Sequence, residues 1–287
     1  MSKINKVKIG IIGHGFVGRA TDWGFNKNTD KFIVDPKYGT SIEDLSNFKP
    51  SLVFVCVPTP MADDGSQDAS IFLDVIKKIS EQSLESVIVV KSTVLPDMLI
   101  EAKKIIGDIV YNPEFLREKH ALLDFQNSDM IILGGKKNIS KKVANCYENH
   151  SRCKTSNYIF LDLISASIVK YAINTFLATK VIFFNELKNY FSEFNSDESW
   201  TKVIDAIKSD PRIGDSHMDT PGHDGKKGFG GACFPKDTSA LARSAMLAKQ
   251  NLTVLEAAIK TNNKIRKVYK DIDSREKDQN ISFDDKI

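Results

Sequence analysis

The run Gly228-Phe229-Gly230-Gly231-Ala232-Cys233-Phe234-Pro235-Lys236-Asp237 gathers the residue types most suited to covalent chemistry. Three glycines strip side chains from a loop, so a ligand can approach its backbone. The cysteine that follows is a nucleophile only as thiolate, a form that a nearby cation favours. Lys236 and Asp237 set a cation and a candidate base within a few residues of that sulfur. The same run also reads as a Gly-rich turn entering a helix, with Cys233 a small buried apolar residue.

A second glycine cluster lies near the other end. Lys8-Ile9-Gly10-Ile11-Ile12 runs into Gly13-His14-Gly15-Phe16-Val17-Gly18, a G-x-G-x-x-G pattern behind an apolar run and ahead of a helix-like segment. Asp35 ends the next apolar run, about 20 residues on, the usual distance for a carboxylate that binds an adenosine ribose. Glycines there allow a tight turn, close approach of a pyrophosphate and helix–strand packing, while the helix N-terminus supplies amides. The pattern predicts a dinucleotide site, and the acidic Asp35 selects NAD over NADP, because a 2′-phosphate would meet its charge. His14 falls at a variable position of the pattern. His120, His150, His217 and His223 share no ligand spacing, so no metal site is expected.

These side chains need elements to position them. Short β-branched runs at 7–12, 31–34, 52–57, 87–90, 108–111 and 130–133 alternate with helical patterns such as 67–80 and 96–106. Unbroken apolar runs of that length predict strands covered on both faces, hence an α/β fold opening with a Rossmann-type, doubly wound parallel sheet. A last short strand is expected at 158–160. Residues 161–194 then hold no Gly or Pro and carry apolar residues at helical spacing. Further helices are expected at 199–209, 236–249 and 253–270, with a turn-rich loop over 210–231 and Pro235 in a helix first turn. The expected organisation is a Rossmann domain over 1–160, an all-α domain over 161–270 and a polar, frayed tail over 271–287.

On that frame other candidates take their places. Lys170 and Asn174 lie four apart on the long helix, so they share a face. A cation and an amide there hold a developing oxyanion, or merely meet solvent. Glu114 and Glu118 have the same helical spacing and either stay solvated or order water and shuttle protons. Thr93 follows the strand at 87–90, at the carboxyl edge where open α/β sheets bind ligands, and equally suits a helix N-cap ahead of Pro96.

The bulk numbers exclude several classes. The chain has 287 residues, 41% hydrophobic and 27% charged, an ordinary globular balance. A net charge of +3 with scattered lysines argues against nucleic acid. No apolar run approaches a membrane span, and the first residues lack the apolar core of a signal peptide. Cys56, Cys146, Cys153 and Cys233 form no C-x-x-C pair, which fits a reducing, cytoplasmic setting.

With both glycine motifs in hand, the chain resembles the UDP-glucose/GDP-mannose dehydrogenase family from about residue 7 to residue 270. Further blocks follow in the family's order: Val57-Pro58-Thr59-Pro60, Lys91-Ser92-Thr93-Val94, Pro113-Glu114-Phe115-Leu116-Arg117-Glu118, the Lys170/Asn174 pair, and the cysteine loop. The resemblance implies an N-terminal Rossmann domain and a helical domain that dimerises through the long helix at 161–194. It implies an NAD-dependent, two-step oxidation of a sugar-nucleotide C6 alcohol to a carboxylate, with the aldehyde held on Cys233 as thiohemiacetal and then thioester. UDP-glucose is the leading substrate, with GDP-mannose and UDP-N-acetylmannosamine as alternatives.

By the same resemblance, Gly13, His14, Gly15, Phe16, Val17, Gly18, Asp35, Pro58, Thr59, Ser92, Thr93, Glu118 and Lys236 would hold the cofactor. Glu114, Phe115, Leu116, Arg117, Glu118, Lys170, Asn174, Phe229, Gly230 and Gly231 would hold the substrate, with Arg212 reaching into the neighbouring protomer's site. Lys170 and Asn174 would stabilise the oxyanion, and Asp237, Thr93 and Glu114 would manage water and protons. Typical members continue for roughly a hundred residues into a nucleotide-gripping domain, so this sequence is expected to be a short form. The segment 218–227 also departs from the common version, and its Lys226 and Lys227 meet phosphates or merely solvent. Two other readings stay open: a single-step hydroxyacid dehydrogenase of the 6-phosphogluconate type, which needs no thiol, and a non-catalytic NAD-binding module.

Overall fold

Runs rich in Val and Ile become the strands β1 (Val7–Ile12), β2 (Thr29–Val34), β3 (Leu52–Val55), β4 (Val87–Val90), β5 (Ile109–Tyr111), β6 (Ile131–Gly134) and β7 (Tyr158–Leu161). The helices are α1 (Phe16–Gly24), α2 (Ile42–Phe48), α3 (Ser70–Glu81), α4 (Pro96–Ile106), α5 (Ala121–Gln126), α6 (Lys137–His150), α7 (Leu163–Phe191), α8 (Trp200–Lys208), α9 (Phe234–Leu247), α10 (Thr253–Arg266) and α11 (Ser274–Asp278). The structure is a computed structural model that describes residues 6–82 and 84–284.

The chain divides into two units, Met1–Thr59 with Asp68–Lys170, and Pro60–Gln67 with Tyr171–Ile287. The expected boundary at residue 160 therefore moves: the first turns of α7 belong to the sheet unit, where Leu163 and Ala166 pack into its core.

The first unit is built on one seven-stranded sheet, ordered β2-β1-β3-β4-β5-β6-β7. Strand alternation sends Val53 and Val55 to one face, with Leu45, Phe72, Ile76 and Leu99 of α2, α3 and α4. Leu52 and Phe54 turn to the other face, against Phe25, Phe125, Val143 and Tyr147 beside α1, α5 and α6. Helices on both faces make the sheet doubly wound, as its unbroken apolar strands require.

The sheet is not wholly parallel. β5 and β6 pair antiparallel through Tyr111 and Gly134, so β6 and β7 run against the first five strands. The connecting segment explains the reversal. Its one α-helix, α5, is six residues long and lies on α1, where the Phe125 ring occupies the space a Cβ at Gly24 would need. No crossover helix runs back along the sheet to restore the parallel direction.

In the second unit α7 is the central element, a helix about 44 Å long at 1.5 Å per residue. Ala178 and Ile182 pack with Phe229 and Ala258, Phe184 with Ile204 and Met218, and α9 meets α10 through Ala242, Leu255 and Ile259. By length and composition α7 is apolar enough to cross a membrane, yet half of its most apolar window is buried within the protein. The segment 60–67 joins this unit through polar contacts: Ser239 Oγ donates to Gly65 O at 2.6 Å, and Arg243 Nε to Asp64 O at 2.7 Å.

The polar tail expected over 271–287 is folded as far as the described residues reach. Asp273 and Glu276 form a capping box at the start of α11, and Glu276 and Ile281 are buried. A Cβ added at Gly24 would stand 2.2 Å from the Phe125 ring. Gly24→Ala should therefore overpack the α1–α5 contact by about 1–3 kcal/mol, lowering Tm by about 2–4 °C per kcal/mol. An unchanged thermal transition would disprove that packing.

Candidate active site

The dinucleotide loop lies at the carboxyl end of β1, where the strand order reverses between β1 and β3. Its three glycines have three different reasons. Gly13 takes φ +86°, and a Cβ there would stand 2.8 Å from Cys56 O. A Cβ at Gly18 would meet Gly13 O at 1.9 Å, so only glycine lets α1 start this close to the loop. Gly15 faces open space, with nothing within 4 Å of a Cβ position. Asp35 is fixed beside the loop: one carboxylate oxygen accepts from His14 N at 2.6 Å, the other from Lys37 N at 3.0 Å. The His14 ring is engaged by Tyr38 Oη at 2.8 Å and Asp22 Oδ2 at 3.3 Å. Phe16 and Val17 open α1 beside it.

The loops after β3 and β4 are stitched together. Thr59 Oγ1 donates to Thr93 O at 2.9 Å, and Ser92 Oγ to Val57 O at 2.7 Å. Pro58 lies between these ties. Thr93 is not the N-cap of α4; that position is Leu95, ahead of Pro96. Lys91 is buried and donates to Asn112 Oδ1 at 3.1 Å and Tyr147 Oη at 3.2 Å. Burial lowers its pKa below the ordinary lysine value, and pushes the neighbouring Cys56 thiol up to about 12.

The expected helical pairing of Glu114 with Glu118 does not form. Glu114 sits in an extended loop after β5, and Glu118 opens a 3-10 turn; its side chain lies outside what the structure describes. Glu114 Oε2 accepts from Leu116 N at 2.6 Å. The Lys170 ammonium donates to Glu114 O, lies 3.8 Å from Glu114 Oε1 and sits 4.8 Å from the Phe115 ring centroid. Lys170 is thus a buried cation held by the 113–118 loop, not a solvated helix face. Arg117 is paired with Asp124 through two guanidinium nitrogens, at 3.1 and 2.7 Å.

In the second unit Cys233 is the N-cap of α9, half-buried, with Pro235 in the first turn. Its carbonyl accepts from Asp237 N at 2.9 Å. The Asp237 carboxylate is buried and takes Asn174 Nδ2 on one oxygen at 2.6 Å and Lys236 Nζ on the other at 2.5 Å. Lys236 therefore has its charge matched by its neighbour, and Asn174 is oriented by a carboxylate. The glycine stretch rests on side chains absent from the motif. Gly228 N donates to Asn185 Oδ1, Phe229 N to Asn262 Oδ1 and Gly231 N to Glu276 Oε1. Gly230 leaves no room for a Cβ, which would stand 2.1 Å from Arg266 Nη2. Spacing could not reveal these supports, because they lie on helices scattered from residue 185 to residue 276.

Arg212 is exposed and paired with Asp210 at 2.5 Å, in a loop whose Ile213 O and Gly214 O accept from Lys180. Lys226 pairs with Asp271 at 2.8 Å, and Lys227 donates to Asn189 Oδ1 at 3.0 Å. Among the described residues no group of three or more His, Cys, Asp or Glu has the arrangement of a metal site.

Two models of one family match the chain: "UDP-glucose/GDP-mannose dehydrogenase family, NAD binding domain" over residues 37–150, and the same family's central domain over residues 164–264. UDP-glucose 6-dehydrogenase TuaD of Bacillus subtilis (strain 168) is 32% identical over 302 residues, covering 90% of this chain and 63% of its own. UDP-glucose 6-dehydrogenase YwqF of the same organism is 33% identical over 222 residues, covering 74% and 48%. The chain thus spans less than two thirds of the length of these curated relatives. Among solved structures, a UDP-glucose dehydrogenase from the hyperthermophilic archaeon Pyrobaculum islandicum shares the fold, with a TM-score of 0.78 at 24% identity over 92% of this chain and 69% of that one.

The four thiols differ in access. Burial pushes Cys56 and Cys146 up to about 12 and raises Cys153 above its ordinary value. These thiols stay protonated near neutral pH, so mild alkylation with iodoacetamide should label Cys233 ahead of the other three. Peptide mass mapping checks the order, and first labelling at Cys153 would contradict it.

Proposed function

The chain belongs to the UDP-glucose/GDP-mannose dehydrogenase family, and on that premise we propose that it is an NAD-dependent sugar-nucleotide 6-dehydrogenase. UDP-glucose, converted to UDP-glucuronate, is the leading substrate; GDP-mannose and UDP-N-acetylmannosamine are the alternatives. The observation that carries the reading is Cys233 at the head of α9, half-buried, with Asn174, Asp237 and Lys236 bound together in the same unit.

The residues of the first unit fit NAD. Gly15 leaves an open cradle, Gly13 holds the turn and Asp35 stands fixed at its side. The loop from Gly13 to Gly18 would hold the pyrophosphate and Asp35 the adenosine ribose, with Pro58, Thr59, Ser92 and Thr93 toward the nicotinamide. When bound, NAD supplies the hydride acceptor, once for the C6 alcohol and once for the thiohemiacetal. Cys233 Sγ adds to the aldehyde carbon as the thiol proton passes to the carbonyl oxygen. Loss of hydride and of the hydroxyl proton then leaves a thioester. Water adds, the carbon–sulfur bond breaks, and the thiol regains its proton as the carboxylate leaves. Lys170 and Asn174 stabilise the oxygen on which charge develops, and Glu114 and Thr93 order the water.

We also propose a homodimer built on α7. Ile168, Phe176, Phe183 and Tyr190 recur about every two turns on one face and are 47%, 66%, 58% and 64% exposed. Tyr171, Thr175 and Ile182 of the same helix are buried in the chain's own packing and take no part in that stripe. An exposed apolar stripe of this kind marks a partner surface. Arg212 would then serve the neighbouring protomer's substrate. We infer a reducing, cytoplasmic setting from the sequence spacing of the four cysteines, which form no C-x-x-C pair.

Absorbance of NADH, measured with a panel of sugar nucleotides, tests the reaction. Two NADH per sugar are expected, and one per sugar would replace the reading with a single-step dehydrogenase. Cys233→Ser should keep NAD binding and lower carboxylate production on the order of 1,000-fold or more; near-normal production would remove the thiol from the mechanism. Light scattering should give about twice the 32.1 kDa chain mass. Mixing Arg212→Ala with Cys233→Ser chains should restore part of the activity, and a fully active monomer would overturn the dimer.

A further inference from the structure

The segment after α10 bears directly on the cysteine loop. Arg266, the last residue of α10, is 2% exposed. Its Nη1 donates to Asp224 Oδ2 at 2.7 Å, and its Nη2 lies 3.3 Å from Glu276 Oε1. The rings of Tyr269 and Phe283 flank the guanidinium at 5.7 and 5.3 Å. Glu276, on α11 and equally buried, turns Oε1 to Gly231 N at 2.8 Å and Oε2 to Asp273 N at 3.1 Å. Asp273 in turn accepts from Glu276 N at 2.7 Å, so the capping box locks the carboxylate's own helix. The Gly230 backbone lies flat on this pair: a Cβ there would meet Arg266 Cζ at 2.5 Å and Glu276 Oε1 at 2.8 Å. Cys233 follows two residues after Gly231.

A buried ion pair is weak evidence for stability, since apolar residues of similar volume often serve as well. An apolar side chain cannot offer a fixed acceptor to the Gly231 N–H, nor a charged plane against which Gly230 rests. We propose that Glu276, held by Arg266, is a positioning residue for Cys233. It fixes the Gly230 and Gly231 backbone, and through it the place of the thiol at the start of α9. The proposal rests on the reading of Cys233 as the nucleophile, but its test does not.

The experiment uses the full chain with Glu276→Ala, Glu276→Gln and Gly230→Ala, at a temperature where circular dichroism shows each folded. Two quantities are read: the rate of iodoacetamide labelling at Cys233 across a pH series, with Cys153 as internal control, and kcat and KM for NADH production. Glu276→Ala removes the acceptor, and displacement on the order of 1 Å costs about 100-fold in rate. We expect the labelling profile at Cys233 to move by about tenfold while Cys153 is unchanged, and kcat to fall by about 10–100-fold with KM for NAD held. Glu276→Gln keeps an acceptor for Gly231 and should restore most of the wild-type labelling. Gly230→Ala displaces the same backbone from the other side and should shift Cys233 in the same way, which keeps the test open if Glu276→Ala does not fold. Wild-type labelling and kcat in folded Glu276→Ala or Gly230→Ala would overturn the proposal, as would parallel changes at Cys153. A shifted Cys233 profile in a protein inactive on every sugar nucleotide would uphold the positioning role and reject the proposed reaction.

Discussion

Buried backbone amides must find partners, and residues 228–231 have no strand or helix neighbour to provide them. Side chains do it instead. Asn185 takes Gly228 N at 3.1 Å, Asn262 takes Phe229 N at 2.7 Å while returning a bond to Phe229 O at 3.0 Å, and Glu276 takes Gly231 N. An unsatisfied buried amide costs about 1–3 kcal/mol, so each of these positions must be polar although it faces a core. The requirement shapes the whole second unit. α7, α10 and α11 carry the buried acceptors Asn185, Asn262 and Glu276 aimed at the loop, and the apolar cluster of Ala178, Ile182, Phe229 and Ala258 packs in the same unit.

The dinucleotide loop answers the same need differently. Gly13 N donates to Val34 O at 2.8 Å, and Cys56 N to Ile12 O at 2.8 Å, so adjacent strands hold its backbone. Glycine is then needed only where the chain turns or packs too closely for a Cβ. One loop is supported by the sheet it emerges from, the other by side chains drawn from three helices. The glycine spacing of the first is therefore a local signature, while the supports of the second are dispersed along nearly a hundred residues.

That difference governs what the sequence made legible. Strands and helices were readable from period and length, and the doubly wound sheet followed from unbroken Val/Ile runs such as Val87–Val90. The Gly13–Gly18 turn and Asp35 were readable because their geometry is local. The reversal of β6 was not, because it depends on where α5 packs, a contact between Gly24 and Phe125 far apart in sequence. Residues 60–67 carry no apolar pattern and join the second unit through backbone oxygens. The folded tail escaped because its composition is polar: Glu276 looks like any solvated acid until Arg266 and Gly231 are placed around it.

The Lys170/Asn174 pair shows how one helix sets both residues while local partners orient each. Lys170 is held by Glu114 O and the Phe115 ring, and Asn174 by the Asp237 carboxylate. The amide's donating end is fixed by the Asp237 carboxyl oxygen, so its orientation does not depend on substrate. The other Asp237 oxygen takes the Lys236 ammonium. Buried Lys236 and Asn174 are thus joined through one buried carboxylate. Because that carboxylate joins them across the fold, their order in the sequence, Asn174 far from Lys236 and Asp237, says little until the helices that carry them are placed.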